Sequence, residues 1–276
     1  MEDIFIGSEA LADAVLTRGQ LRWNYRAIFP DVYMAKEATP SLAHRTIGAW
    51  LWSGRRGVIA GLAAAALHGA QWVDGFADVE LIWRCSRPPP GIVVRNESIE
   101  SDEIVEIAGL PVTTPERTAI DIARRASRDS AVMHLDALAR ATGVTATGVR
   151  PLADRYRGAR GLVQSLAALS LMDGGSQSPR ETLVRLALID AGFPTPRTDF
   201  TVVETARMAM GYEAPKVGVQ FGSDSPELLA RAGWMMIPAV DSPSRAIVGR
   251  MRMAVIARGY PLWRLQRLER VARCRA

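Results

Sequence analysis

The stretch 112-VTTPERTAIDIARR-125 carries a strong signal for the start of a helix. Thr114 is a favoured N-cap residue, and Pro115 at the first helical position has the backbone angle that a helix needs there. Arg117 and Asp121 stand four residues apart, a spacing that brings their charges together on one helix face. We therefore predict a helix that begins after Thr114 and contains an Arg117–Asp121 ion pair with a structural role.

The N-terminal part has the element order of a small winged helix. Thr17-Arg18-Gly19-Gln20 is a capping box that opens the short helix "RGQLRWN", another helical segment precedes it, and two β-rich runs around Pro30-Asp31 predict a hairpin. Arg18 and Arg22 share one face of the short helix, and Arg26 lies at the hairpin. These three arginines are candidates for nucleic-acid contact, although a helix pair with a hairpin also occurs in many other folds.

The hydrophobic pattern of the whole chain is typical of a mixed α/β (α+β) fold. Strand-like runs, "RGVIAG", "DVELIW" and "GIVVR", precede the quoted helix, and amphipathic helical segments follow it. Gly, Ser and Pro are densest in "GGSQSP", at 174–179, which marks a domain boundary. We predict a winged-helix-like segment at 1–38, an α/β and helical region at 39–173, and a second domain at 174–276.

Composition and cysteine content limit the classes of protein to consider. Of the 276 residues, 48% are hydrophobic, which is ample for a buried core. Cys85 and Cys274 have no partner spacing, so neither a zinc cluster nor a disulfide framework is predicted, and a reducing compartment fits best. The start, "MEDIFIGSEALADAV", lacks the features of a signal peptide, and "GVIAGLAAAALHGAQW" is too short to span a bilayer. We therefore expect a soluble cytoplasmic protein that does not bind a membrane.

Positive charge is concentrated at one end of the chain. From Arg245 to Ala276 the sequence has nine arginines and one acid, Glu269, whereas the net charge of the whole chain is only +5. The remaining residues therefore carry a small net negative charge. A basic block of this kind indicates a polyanionic partner such as nucleic acid, and the alternative explanation is a solvated helix surface.

After the boundary, the pattern predicts one helix, three strands, a short helix and a further strand. The helix is "SPRETLVRLALIDAG", with Ser178 as its cap and Pro179 at its first position. The strands are "TDFTVV", "ARMAMGY" and "KVGVQF", and the short helix "PELLARAG" leads into the strand "WMMIPAV". Two more helical segments follow. The order of elements in this domain is thus αβββαβ.

Two parts of the chain resemble known families. Residues 176–239 resemble the branch of the restriction-endonuclease-like PD-(D/E)XK superfamily related to very-short-patch-repair endonucleases, through "QSPRETLVRLALIDAGFPTP", "MGYEAPKVGVQF" and "LLARAGWMMIPA". The first part is similar to bacterial proteins in which an AbiEi-like antitoxin domain is fused to such a fold, through "LTRGQL", "FPDVY", "AGLAAAALHG" and "GLPVTTPERTAIDIARR". Together the resemblances cover nearly the whole chain and imply an AbiEi-like region followed by a restriction-endonuclease-like core.

The resemblance implies a metal site whose acids are replaced here. In that superfamily two carboxylates on adjacent strands share Mg²⁺, which activates a water and neutralises charge at the scissile phosphate. The motif places the acids at Ala209, Gln220 and Gly222 of this sequence, and only Glu181, on the preceding helix, matches. A methyl group, an amide and a glycine cannot hold a divalent ion. We therefore predict a degenerate former site with no catalytic residue, no metal and no cofactor.

These observations favour a non-catalytic nucleic-acid-binding or regulatory protein built on an inactivated endonuclease fold. Its partner is expected to be nucleic acid, with DNA preferred over RNA. The predicted sequence-independent phosphate contacts are Lys216, Arg264, Arg267 and Arg270. The three N-terminal arginines are predicted to position the protein or to contact bases.

Two alternatives stay open. One is an Mg²⁺-dependent DNA endonuclease with a migrated active site, in which another acid near a strand end joins Glu181. The acids in question are Asp199, Glu204, Glu213 and Asp224. The other is an antitoxin-like module that binds a protein partner, since AbiEi-like domains belong to toxin–antitoxin pairs whose toxin is a nucleotidyltransferase.

Overall fold

The computed structural model describes residues 4–85, 87–203, 206–222, 226–240 and 242–273, with side chains up to residue 268. Its contacts divide the chain into two compact units, Met1–Met172 and Asp173–Ala276, termed here the N-terminal unit and the C-terminal unit. Both units combine helices with sheets, so the predicted mixed α/β class is confirmed. None of the described helices has the length and apolar character needed to cross a membrane.

The N-terminal unit contains two sheets and a group of helices. Its elements are β1 (Ile4–Ile6), α1 (Gly7–Ala12), α2 (Arg18–Asn24), β2 (Tyr25–Phe29), β3 (Val32–Ala35), α3 (Leu42–Trp52), β4 (Val58–Ala60), α4 (Gly61–Leu67), β5 (Val79–Ile82), β6 (Ile92–Arg95), β7 (Ile104–Ile107), β8 (Leu110–Thr113), α5 (Pro115–Arg125), α6 (Arg128–Thr142), α7 (Ala146–Arg155) and α8 (Leu162–Leu169). The first sheet is antiparallel with the order β1-β3-β2, and the second is mixed with the order β6-β5-β4-β8-β7.

The segment from α1 to β3 has the predicted order of helix, helix and hairpin. Thr17 Oγ1 accepts a hydrogen bond from Gln20 N at 3.2 Å, and Gln20 Oε1 accepts one from Thr17 N at 2.8 Å, which completes the capping box of α2. Strands β2 and β3 form the hairpin, and Asp31 in its turn has a positive φ of 61°. The Asp31 carboxylate accepts a hydrogen bond from Ser8 N at 3.0 Å, so the turn is tied to α1.

Helix α3 connects the two sheets of the N-terminal unit through one core. It packs against β1 and β2 of the first sheet and against β4 and β5 of the second. One buried cluster contains Phe29 and Met34 from the first sheet together with Ile59 and Leu81 from the second. Because burial of apolar surface is the dominant favourable term in folding, the two sheets stabilise each other across α3.

The predicted Arg117–Asp121 ion pair is present and fully buried. Arg117 Nε lies 3.1 Å from Asp121 Oδ2, and neither side chain is exposed to solvent. Two further carboxylates hold the same guanidinium, with Glu103 2.6 Å from Nη1 and Glu97 3.1 Å from Nη2. The guanidinium also lies over the ring of Tyr156, 4.7 Å from its centroid. Every nitrogen of the guanidinium therefore has a carboxylate partner, which offsets the cost of taking the charge out of water.

Further ion pairs around Arg117 link the second sheet to α5 and α7. Arg125 on α5 lies 3.2 Å from Glu80 of β5 and 3.1 Å from Asp121 Oδ1. Arg155 at the end of α7 pairs with Glu103 at 2.9 Å. Burial raises the pKa of Asp121, and its arginine partners oppose that rise. The contacts join segments far apart in the sequence, so they hold both helices in position on the sheet.

A glycine allows α8 to approach α5 closely. Gly161 precedes α8 with φ +83°, and a Cβ built there would lie 2.9 Å from the carbonyl oxygen of Arg124. Any other residue would meet backbone atoms while in a conformation that L-residues rarely adopt. Arg124 Nε donates a hydrogen bond to the carbonyl oxygen of Arg160 at 3.1 Å, which secures the same junction.

The C-terminal unit has the predicted αβββαβ order, followed by two helices. Its elements are α9 (Pro179–Asp190), β9 (Arg197–Val203), β10 (Ala206–Tyr212), β11 (Val217–Gln220), α10 (Pro226–Arg231), β12 (Met235–Pro238), α11 (Ser244–Ala257) and α12 (Leu262–Arg273). The sheet order is β12-β11-β10-β9, with β12 parallel to β11 and the other pairs antiparallel.

The sheet of the C-terminal unit is covered on both faces. One cluster combines side chains of α9, α11 and α12 with those of the sheet, including Val184, Val217, Val219 and Met251. A second cluster lies against α10 and includes Leu229. Gly218 lies between Val217 and Val219, and the side of the strand to which a Cβ at Gly218 would point is occupied by Met208 of the second cluster. Because successive residues of a strand point to opposite faces, the two clusters lie on opposite faces of the sheet.

Arg117→Ala is expected to lower the free energy of unfolding by about 3–5 kcal/mol, because it leaves Glu103 and Asp121 buried without their cation. Urea unfolding of the full chain followed by circular dichroism measures the loss. Arg157→Ala removes an exposed arginine paired with Asp154 at 3.1 Å and is the control. It should cost less than about 1 kcal/mol. Equal losses in the two variants would contradict the importance assigned to Arg117.

Candidate nucleic-acid interface

The outward face of α2 carries two arginines without internal partners. Arg18 and Arg22 are exposed, and neither side chain makes a hydrogen bond or ion pair with the described part of the chain. Leu21 packs the other side of the helix into the core, with 8% of the residue exposed. Lys36 Nζ donates to the carbonyl oxygen of Arg22 at 2.9 Å and so holds the helix end against the hairpin. Two cations four residues apart on one exposed face suit contact with phosphates.

The third predicted arginine, Arg26, is engaged inside the protein. It is half-buried on β2, and its Nη2 donates a hydrogen bond to the carbonyl oxygen of Ala38. Its Nε is buried and has no hydrogen-bond partner among the residues that the structure describes. A guanidinium held in this way fixes the chain after β3 and is less available to a ligand than Arg18 and Arg22.

Two of the predicted phosphate contacts in the C-terminal unit have partners of their own. Lys216 Nζ donates to the carbonyl oxygen of Ala232 at 3.0 Å. Arg264 Nη1 donates to the carbonyl oxygen of Gly259 at 2.9 Å, and its guanidinium lies 4.6 Å from the ring centroid of Tyr260. Both residues remain exposed, so each can still meet a phosphate while its local contact orients it.

The other two predicted phosphate contacts lie on α12. Leu265 packs this helix into the core with only 4% exposed. Arg267 is on the solvent side and, within the described residues, makes no hydrogen bond or ion pair. Arg270 follows three positions later on the same helix, but its side chain is outside the described part. Among the predicted phosphate contacts whose side chains are described, Arg267 is therefore the one without a partner inside the protein.

Glu181, the acid that matches the metal-binding motif, is bound to the start of its own helix. The residue is 6% exposed. Its Oε2 accepts a hydrogen bond from Gln177 N at 2.8 Å, and its Oε1 accepts one from Ser178 Oγ at 3.1 Å. Ser178 Oγ in turn accepts from Glu181 N at 3.2 Å, which closes the cap of α9. A carboxylate in this position stabilises the helix N-terminus.

Two of the three positions expected to carry acids, Ala209 and Gln220, lie on adjacent strands of the sheet, and the third, Gly222, follows β11. Met210 pairs with Val219, so the register of β10 and β11, continued by one residue, sets Ala209 opposite Gln220. Both of these residues are half-buried. Gly222 follows β11 and has nothing within 4 Å of a Cβ built there. The backbones at 209 and 220 are thus at the same level of adjacent strands.

Along β10, the side of the sheet on which the alternate side chains pack changes at Ala209. Met208 packs in the cluster against α10, whereas Met210 packs in the cluster with α9 and α11. Regular alternation would put residues 208 and 210 on the same face. The paired strand β9 is irregular at the same level, where Asp199 has a positive φ of 43°. The direction of the side chain at 209 therefore does not follow from alternation.

Two of the acids considered for a migrated active site are paired with cations. Asp199 Oδ1 lies 2.7 Å from an arginine of β10 and accepts a hydrogen bond from Gln177 Nε2 at 2.9 Å. Glu213 Oε1 lies 2.6 Å from an arginine of β9. Glu204 and Asp224 lie outside the described residues. Within the described ranges, no group of three or more His, Cys, Asp or Glu side chains could hold a metal ion.

The sequence interpretation missed two exposed aromatic residues on the basic helices. Trp23 on α2 is 74% exposed and Trp263 on α12 is 64% exposed. The chain's other tryptophans are buried or partly buried. A signal was present in the sequence, because Trp263 precedes Arg267 by four residues and so shares its helix face. Its exposure could not be read from the sequence, since large aromatic side chains are usually covered.

Comparison with known proteins supports the N-terminal resemblance. No curated protein matches the chain. Residues 53–173 match the family model described as the AbiEi antitoxin C-terminal domain. The match begins directly after α3 and contains the whole second sheet, α5 and the buried ion pairs around Arg117. This part of the chain is therefore similar to the AbiEi antitoxin C-terminal domain, as its motifs predicted.

Proposed function

We propose that this protein is a non-catalytic, nucleic-acid-binding regulator with an antitoxin-like domain. The observation that carries the proposal is the pair Arg18 and Arg22, which are exposed on α2 and unpartnered among the described residues. A helix with a cationic outward face, followed by a hairpin, can contact the phosphates and base edges of duplex DNA. DNA is therefore the preferred partner.

The C-terminal unit supplies sequence-independent attraction in this proposal. From Arg245 onward the sequence has nine arginines and one acid. The exposed Arg267 and Arg264 are the members of this block that the geometry favours for contact with phosphates. Such contacts release counterions from the nucleic acid, so they strengthen binding to every sequence and weaken as salt rises.

The residue types at the former metal site support a non-catalytic role. Residues Ala209, Gln220 and Gly222 carry no charge, and Glu181 is held at the start of α9. Without two facing carboxylates at these positions, the expected site lacks the ligands with which a divalent ion would activate water beside a phosphate. The loss of acids also removes repulsion toward a polyanion, which suits a binding surface derived from a restriction-endonuclease-like fold.

A second candidate function is the binding of a protein partner. The match of residues 53–173 to the AbiEi antitoxin C-terminal domain favours it. The two candidates are compatible, because α2 lies outside the matched residues. A stable complex with a nucleotidyltransferase toxin in nuclease-treated samples would favour the protein-binding candidate. Association that disappears with nuclease treatment would favour the first.

Replacing Arg18 and Arg22 together with Ala is expected to change sequence preference more than general affinity, because these side chains lie on the α2 face proposed to reach base edges. Replacing Arg264 and Arg267 with Ala should instead weaken binding to every duplex. It should also reduce the slope of log affinity against log salt by about one for each lost phosphate contact. Fluorescence anisotropy with a panel of duplexes across a salt series measures both effects.

The control for this experiment removes equal charge elsewhere. Arg150 and Arg157 are exposed in the N-terminal unit and pair with Asp154. The double variant Arg150→Ala with Arg157→Ala should bind like wild type. If it loses as much affinity as the α2 variant on every duplex, only total charge matters, and the role proposed for α2 is wrong.

The melting temperature of the wild-type protein should not respond to Mg²⁺, Mn²⁺ or EDTA, and no cleavage of DNA is expected with either metal. The proposed alignment puts residues 209 and 220 in one cleft, so Ala209→Asp combined with Gln220→Glu introduces two carboxylates that repel each other until a cation binds. The melting temperature of this variant should therefore rise when Mn²⁺ is added. Differential scanning fluorimetry measures the shift.

The single variant Ala209→Asp is the control for the double variant, because one carboxylate without its partner should respond much less to metal. A clear Mg²⁺-dependent stabilisation of wild type would contradict the non-catalytic role. So would DNA cleavage by wild type that Glu181→Ala abolishes, since it would reveal a working metal site.

A further inference from the structure

The exposed tryptophans lie on two helices, α2 and α12, that also carry arginines without partners among the described residues. Of the chain's seven tryptophans, only Trp23 and Trp263 are exposed, and they lie on α2 and α12. A tryptophan is among the largest apolar side chains, and its exposure forgoes a substantial gain from burial. On α12 the aromatic and a cationic side chain are four residues apart and share one face, which indicates a surface that binds a ligand over its exposed indole.

On α12 the geometry of this surface is well defined. Leu262 and Leu265 direct one side of the helix into the core of the C-terminal unit. Trp263 and Arg267 are four residues apart on the solvent side, so the indole and a free guanidinium share one face. Arg264, between them in sequence, is oriented by its stacking on Tyr260.

The charge around Trp263 selects the class of ligand. The chain from Arg245 onward has nine arginines and one acid, so a protein or ligand that brings positive charge is disfavoured and a polyanion is attracted. Among polyanions, nucleic acid also presents flat π faces that stack on an indole. In a duplex these faces are already covered by neighbouring base pairs, whereas in a single strand they are free.

We propose that Trp263 is a stacking platform for an unpaired nucleobase, with Arg267 contacting the adjacent phosphate, so that the C-terminal unit binds single-stranded nucleic acid. This inference rests on the proposed nucleic-acid-binding function and adds the form of nucleic acid that α12 recognises. The arginines of α12 then attract the phosphates of duplex and single strand alike, and stacking on Trp263 adds affinity for the single strand alone.

The test compares three variants of the full chain on single strands and duplex. The probes are oligo(dT), oligo(rU) and a duplex of equal length, measured by fluorescence anisotropy. Trp263→Ala should weaken binding to a single strand by at least about fivefold, while Trp263→Phe keeps a stacking ring and should retain most of the affinity. Phe76→Ala removes another exposed aromatic ring, 87% exposed and outside the basic helices, and should leave all affinities unchanged. Because Trp263 is exposed, its removal should leave the melting temperature unchanged.

Each outcome bears on the inference. A loss on oligo(dT) or oligo(rU) that is absent on the duplex supports it, and the comparison of the two single strands tells whether the sugar contributes. An unchanged single-strand affinity in Trp263→Ala, or an equal loss on the duplex, overturns the stacking platform. If duplex binding still depends on Arg18 and Arg22 in that case, the proposed function stands. If no probe binds to wild type, both proposals fail.

Discussion

A guanidinium that has lost all contact with water needs charged acceptors, and Arg117 has a carboxylate at each of its three nitrogens, drawn from three separate segments. Glu97 follows β6, Glu103 precedes β7, and Asp121 lies one turn along α5. Helix α5 in turn packs against α4, α6, α7 and α8. The packing of five helices in the N-terminal unit therefore depends on the placement of these carboxylates around Arg117. A misplaced helix would leave a buried ion without its partner, which is far more costly than an imperfect apolar contact.

The fold could be predicted from the sequence where local rules decide it. Thr114 with Pro115 and Ser178 with Pro179 start helices at the expected residues, and the apolar pattern predicted the strands of the C-terminal unit but not β1 of the N-terminal unit. The pair Arg117–Asp121 was also accessible, because both residues belong to one helix. Glu97, Glu103 and Tyr156 were not, since their meeting depends on how distant segments pack. The change of face at Ala209 was equally hidden, because it arises from a coordinated irregularity of two strands.

For the arginines of the candidate interface, too, the sequence predicts which residues share a helix face but not the role of each side chain. Periodicity predicts that Arg18 and Arg22 share a face, and that face is exposed. Nothing in the local pattern distinguishes them from Arg26, which instead binds a backbone carbonyl, or from Arg117, which is buried. Arginine thus has three different roles within one unit, and only the tertiary structure separates a guanidinium offered to a ligand from one that holds the protein together.

The core shared across α3 constrains how this protein can evolve. Because the first sheet and the second sheet bury their side chains against the same helix, a crossover between genes placed after β3 would separate Met34 and Phe29 from the residues they pack on. A new N-terminal segment acquired in that way would have to match an α3 surface shaped by another partner. Exchanges that leave residues 1–172 together carry a complete core with them. Single substitutions on the surface of α2 are therefore easier to accommodate than replacement of the whole segment from β1 to β3.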